Sequence, residues 1–291
     1  MSWILIKILS DLLASSNVII AKVMLSNHVS ERRLYILSVM IVSTPFAILG
    51  LIELANSTQI IDVLIALIVG MSYIASGHFY YRAISEGQPS RLSMLFRLGS
   101  VFTLILSIII LQESLTIDQY FGFALSFLGG TIILTERSWK NLGSDQSSHY
   151  ALASALCGAL STALTVYLLR QGYSVWQTFT ITRVGVIIGT IVLLTPNGTW
   201  TAVKMILNLR RLYSGTLLSE QIIRLISLYL QTISVYQIGS ATLVAVLSGF
   251  MPLYVWLIGA VSKQEPIKDD KLTSRLLSLL AFVISSYLMA R

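Results

Sequence analysis

Charge is scarce in this chain: 11% of its 291 residues are Asp, Glu, Lys or Arg, against 55% hydrophobic. That polar surface is too small to cover a soluble globule of this length, so lipid is the solvent for most of the chain. Cysteine is almost missing as well. The lone Cys157 excludes an internal disulfide and a multi-cysteine metal cluster, while His28, His78 and His149 lie too far apart for a metal-ligand spacing. A Walker loop, a GxSxG elbow and a dinucleotide fingerprint are all lacking. The reading is therefore a non-enzyme that needs no cofactor and no metal.

Long apolar runs are what the chain does have. A bilayer core about 30 Å thick takes roughly 20 apolar residues per helical crossing. Windows of that length fall near 3–25, 34–53, 60–84, 89–112, 117–136, 150–171, 175–195, 214–238, 239–262 and 272–290. The runs are continuous rather than alternating, which excludes a barrel and leaves an all-α integral membrane protein of ten transmembrane helices. Gly239, in the QIGSA stretch, separates the eighth crossing from the ninth, and Pro89 marks the start of the fourth. The first segment is too long and too charged, with Asp11 and Lys22, to be a cleaved signal. ERSWKNLGSDQSSH (136–149) reads as a linker, and 196–213 as an interfacial amphipathic helix carrying Trp200, Arg210 and Arg211.

The apolar run RLGSVFTLILSIIILQESL (97–115) closes on a Gln-Glu pair, and so does GFMPLYVWLIGAVSKQEPI (249–267). Sliding the chain by 152 residues sets Gln112-Glu113 on Gln264-Glu265, Gly87 on Gly239 and Asp118 on Asp270. Five crossings per unit is an odd number, so the second unit enters the bilayer from the opposite side and the whole is a 5+5 inverted repeat. The units run over 1–136 and 150–291, joined by 137–149.

YYRAISEGQPSRLS (80–93), LQESLTIDQYFGFALSFLGGTIIL (111–134) and GSATLVAVLSGFMPLYVWLIGAVSKQEPI (239–267) resemble the drug/metabolite transporter superfamily, specifically its EamA-like ten-helix members. The family's Glu after the fourth and ninth helices falls on Glu113 and Glu265, and its mid-helix Pro in the ninth on Pro252. Ser100 stands where the matching Pro of the fourth would be. The resemblance implies a bacterial inner (plasma) membrane carrier with cytoplasmic termini, and marks these positions as structural.

Ionisable side chains at bilayer depth usually face a cavity or a partner. Arg97, Arg183, Arg224 and His78 lie within crossings, against Asp11 and Glu220. Glu220 precedes Arg224 by four residues, the order that favours an intrahelical pair, and Lys7 and Asp11 share that spacing in the weaker order. Arg97 and Arg183 have no acidic partner on their own helices, so both are expected to meet an anionic group of the substrate bidentately. Tyr73, Tyr229 and Asn17 are deep enough to hydrogen-bond a polar solute, whereas Tyr80 and Tyr81 fit an interfacial belt. Gly185 and Gly189 form a close-packing GxxxG. Asp11, Glu220 and His78 are the titratable candidates for ion coupling.

The net charge of +7 sits beside crossings, which excludes nucleic acid as a partner. Most basic residues fall at one end, with Lys7, Arg170 and Arg291 at the other, and the positive-inside rule then puts both termini outside the cytoplasm, opposite to what the resemblance implies. The expected function is secondary transport, as an exporter, of small polar metabolites such as amino acids or related organic anions by alternating access. The alternative is a carrier or flippase for a nucleotide sugar or lipid-linked sugar. Expected partners are a small-molecule substrate, the lipid bilayer and, optionally, a second copy in a homodimer.

Overall fold

The structure, a computed structural model, describes residues 2–27, 32–55, 59–86, 89–132, 146–194, 211–251, 254, 258 and 272–289. Among these residues ten helices of more than one turn are found: α1 Ser2–Asn27, α2 Arg32–Ala55, α3 Ile60–Glu86, α4 Pro89–Leu111, α5 Ile117–Ile132, α6 Gln146–Arg170, α7 Val175–Leu194, α8 Arg211–Ile238, α9 Ala241–Ser248 and α10 Leu272–Met289. The helix starts are written locally. Thr116 and Gln119 exchange backbone and side-chain hydrogen bonds at the head of α5, and Ser174 and Gln177 do the same for α7, each a capping box that satisfies two orphan amides. Ser240 caps α9 by accepting from the Leu243 amide, and Gly239, at φ +67°, makes the turn that separates α8 from α9.

Boundaries differ from the sequence reading in three places. Helix α6 begins at Gln146 rather than 150, because Ser147 and Ser148 are small enough to bury against neighbouring helices instead of remaining in a polar linker. Helix α8 starts at Arg211 and absorbs the end of the expected interfacial stretch, whose remainder, 196–210, lies outside the described residues. Helix α9 is described as a regular helix over eight residues, with a turn at Gly249 and Phe250. Pro252 and Glu265 lie outside the described residues.

The surface is inverted relative to a soluble protein. Ile48, Leu51, Ile52, Leu64, Ile109 and Phe121 point outward, while Lys7, Asp11, Asp62, Arg183 and Glu220 are buried. Lipid accepts the first group and rejects the second. Helices α2 (from Leu34), α3 (to Ser85), α6 and α7 are long and apolar enough to cross a membrane by length and composition.

Helices from the two halves interleave. α2 and α3 pack on α7, α3 and α4 on α6, α1 on α8, and α5 on α10. Glycine permits the closest of these crossings: a Cβ on Gly185 would collide with the Leu67 carbonyl, and one on Gly189 would sit 2.6 Å from Ile74 Cγ2. The GxxxG pair thus packs α7 against α3. Two further joints are reciprocal serine clasps. Ser76 and Ser154 each donate to the other's carbonyl, at 2.8 and 2.9 Å, tying α3 to α6; Ser10 and Ser227 do the same at 2.8 Å each, tying α1 to α8. Trp3 and Met289 meet in one buried cluster with Leu243, Val246 and Leu247, so both ends of the chain lie at the same end of the bundle.

Candidate functional site

Two guanidiniums converge on one tyrosine where α3, α7 and α8 meet. The Tyr73 ring centroid lies 5.1 Å from Arg183 Cζ and 5.5 Å from Arg224 Cζ. Aromatic faces attract such cations, and the attraction grows where water is excluded. Phe179, one turn before Arg183, adds a second ring at 4.8 Å, and Tyr229 packs edge-on against Phe179 at 5.2 Å.

The two arginines differ in how they are satisfied. Arg224 donates to the Tyr81 hydroxyl at 2.6 Å. Arg183, 6% exposed, makes a long bond from Nε to the Phe179 carbonyl at 3.4 Å and interacts with the Tyr73 hydroxyl, while one of its terminal nitrogens has no hydrogen-bond partner. A buried charged donor left unpaired is expensive, more so than a neutral one. That nitrogen is the most conspicuous unfilled valence of the cluster.

Glu220 and Asn17 complete the group. The Glu220 carboxylate, 2% exposed, accepts from Gln221 Nε2 at 2.8 Å rather than from Arg224 four residues on, so the neutral amide takes the place of the anticipated ion pair. Asn17 reaches across from α1. With its amide oriented to match its neighbours, it donates to the Glu220 carbonyl at 3.3 Å and accepts from the Arg224 amide at 3.0 Å. The structure therefore gathers Asn17, Tyr73, Arg183, Glu220, Arg224 and Tyr229, with Tyr81 as an added member.

Tyr81 departs from the interfacial role its position suggested: it is 1% exposed, packed at a tilt against the Tyr35 ring at 4.6 Å and bonded to Arg224. Depth alone misplaced it, because its helix carries it inward at the level of Arg224. The His78 ring packs edge-on to Phe79. The side chain of Arg97 lies outside the described residues, and Arg224 is the arginine seen beside Arg183.

Glu113 has a structural job one turn past α4. Gln112 adopts φ +52° and turns the chain so that the Glu113 carboxylate accepts from the Ala241 amide at 2.9 Å, the Thr242 hydroxyl at 2.9 Å and the Ser240 hydroxyl at 3.1 Å. An anion at a helix N-terminus is favoured by the helix dipole and by the orphan amides. Arg170, at the end of α6, adds a 3.2 Å contact to Glu113 and donates to the Leu111 and Gly239 carbonyls at 2.7 Å each.

A lipid-facing helical bundle with a buried cationic and aromatic cluster defines a polytopic membrane protein built around a polar interior. Residues 1–135 match the model of the EamA-like transporter family, a family of membrane transporters, a match consistent with a member of the drug/metabolite transporter superfamily. A crystal structure titled only as that of a protein aligns with TM-score 0.69 at 14% identity, covering 100% of this chain and 99% of its own, which shows a shared fold. No curated protein matches the chain.

Proposed function

We propose that the chain exports a small organic anion, an amino acid or a related carboxylate or phosphate, by alternating access, with Arg183 and Arg224 as its receptors. The observation that carries this reading is the buried Arg183 guanidinium, which has one nitrogen without a partner and a Cζ 5.1 Å from the centre of a tyrosine ring that the second guanidinium shares. A carboxylate or phosphate would fill that donor and offset two neighbouring positive charges at once. The Glu220 carboxylate, four residues before Arg224 and accepting from Gln221 Nε2, is the acceptor we assign to an ammonium or hydroxyl group of the same solute.

Alternating access draws support from the arrangement of pairs. Exchanging the halves maps α2 on α7, α5 on α10, and the α3–α6 pair on α8–α1, and the reciprocal serine clasp recurs in both members of that last couple. This is the geometry an inverted repeat produces, with the solute near the midplane. The setting we assign is a bacterial inner membrane, with a homodimer as an open assembly.

The test is thermal stability of the purified protein in detergent against amino acids, organic anions, nucleotide sugars and lipid-linked sugars, since a ligand that binds only the folded state raises its melting temperature. A small anion is expected to shift the native protein and to lose about tenfold or more in affinity in Arg183→Gln, as befits a charged hydrogen bond worth roughly 1.5–3 kcal/mol. A shift given only by lipid-linked or nucleotide sugars would replace the reading with the larger cargo.

A further inference from the structure

A second unfilled site lies away from the arginine cluster, where the heads of α3 and α7 meet the ends of α2 and α6. Asp62, in the first turn of α3, is 4% exposed; one carboxylate oxygen accepts from the Tyr173 hydroxyl at 3.2 Å and the other has no partner. Thr178, in the first turn of α7, is 1% exposed, and its hydroxyl has no partner either. Both line one cavity of about 10 Å³, walled otherwise by apolar side chains including Leu54, Ala66, Leu168 and Ile181. That volume admits a single water-sized occupant.

Two orphaned oxygens facing a one-particle cavity could be served by a water or by a small cation, and the charge decides between them. None of the residues lining the cavity is basic. The dipole of α3 favours an anion in its first turn, which eases the burial of a carboxylate without filling its free lone pairs. Nearby, Gln177 on α7 is bonded to a second acid, Glu53, at 3.2 Å, which deepens the negative potential. One carboxylate and neutral hydroxyls suit a hard monovalent ion, whereas calcium takes 6–8 oxygens and magnesium insists on an octahedron that retains waters.

We propose that the Asp62–Thr178–Tyr173 cavity is a sodium site. Bound there, the ion would bridge α3 and α7, two of the helices that hold the arginine cluster, and so tie ion occupancy to the position of Tyr73 and Arg183. This consequence rests on the transporter class of the chain; the binding claim does not depend on the proposed cargo.

Binding of ²²Na⁺ to the full chain purified in detergent tests it, read beside melting temperature in NaCl, KCl and choline chloride of equal ionic strength. Saturable binding displaced by NaCl but not by choline chloride is expected, with a melting temperature raised by a few degrees in sodium alone. Asp62→Asn should weaken binding at least tenfold and Thr178→Val several-fold, while Ile109→Val, on the exposed face of α4 and away from the cavity, binds sodium as the native chain does. If Asp62→Asn does not fold, the near-isosteric Thr178→Val carries the comparison. Equal behaviour in sodium and choline, or sodium binding unaltered by the variants, would overturn the proposal and leave the cavity to water.

Discussion

Lys7 and Asp11 form a fully buried ion pair at 2.6 Å on α1, and this pair shows how a single residue can be costly to change without being a source of stability. Removing both charges from water costs nearly what their attraction returns, whereas removing one strands the other. Lys7→Met and Asp11→Leu are each expected to lower stability by about 3–5 kcal/mol, and Lys7→Met/Asp11→Leu to recover most of it. A double-mutant cycle of denaturation in detergent checks this, and additive losses would defeat it. The pair was legible from i, i+4 spacing despite its less favourable order. The matching expectation at Glu220 and Arg224 failed because spacing knows nothing of Gln221 and Tyr81, which compete for the same two groups. Asp62 carried no signal at all in the sequence, since an acid in the first turn of a helix is unremarkable until Tyr173 and Thr178 are folded over it.

At the scale of elements, the contact of Glu113 with the head of α9 joins the first half of the chain to the second. A helix of eight residues is marginal alone, so its leading amides need partners; here the carboxylate accepts from two of them, Ala241 and Thr242, and the Ser240 hydroxyl from a third, Leu243. Glu113→Ala is expected to cost about 1–3 kcal/mol and to speed hydrogen exchange at Ala241, Thr242 and Leu243 more than elsewhere; Glu113→Gln should retain part of the protection. Uniform exchange across α9 in the variant would show that the cap is dispensable. The sequence placed a Glu at this point in each unit and marked it as structural, yet the residues it holds, 127 to 129 positions away, were not to be read from it. The capping boxes T-x-x-Q and S-x-x-Q act within a single turn, a local signal the sequence carries although the reading of apolar runs did not use it.

For the whole molecule, the joining of Trp3 and Met289 in one cluster fixes that the termini share a membrane face. Reporter tags at the two ends should therefore show the same sidedness, and opposite sidedness would require an odd number of crossings. Arg170 and Glu113 lie at this face, whereas Arg32 and Arg33 open α2 at the other. The interleaving of α2 and α3 with α7, and of α1 with α8, makes one bundle rather than two side-by-side units. No linear periodicity announces such interleaving, since each apolar helix is equally content against lipid or against any small-residue groove.

What the sequence determined by itself was therefore local and solvent-driven. Residence in lipid follows from too little charge, helix number from run length, helix starts from capping residues and tight crossings from glycine. What only the tertiary structure decided was which buried polar groups meet. Arg183 and Arg224 come to share Tyr73, Asn17 reaches Glu220, and Asp62 faces Thr178 across a one-particle cavity. Hydrophobicity sums along the chain and can be read there, but a polar site is set by distances of a few ångströms between segments far apart in sequence, and those distances exist only once the helices have packed.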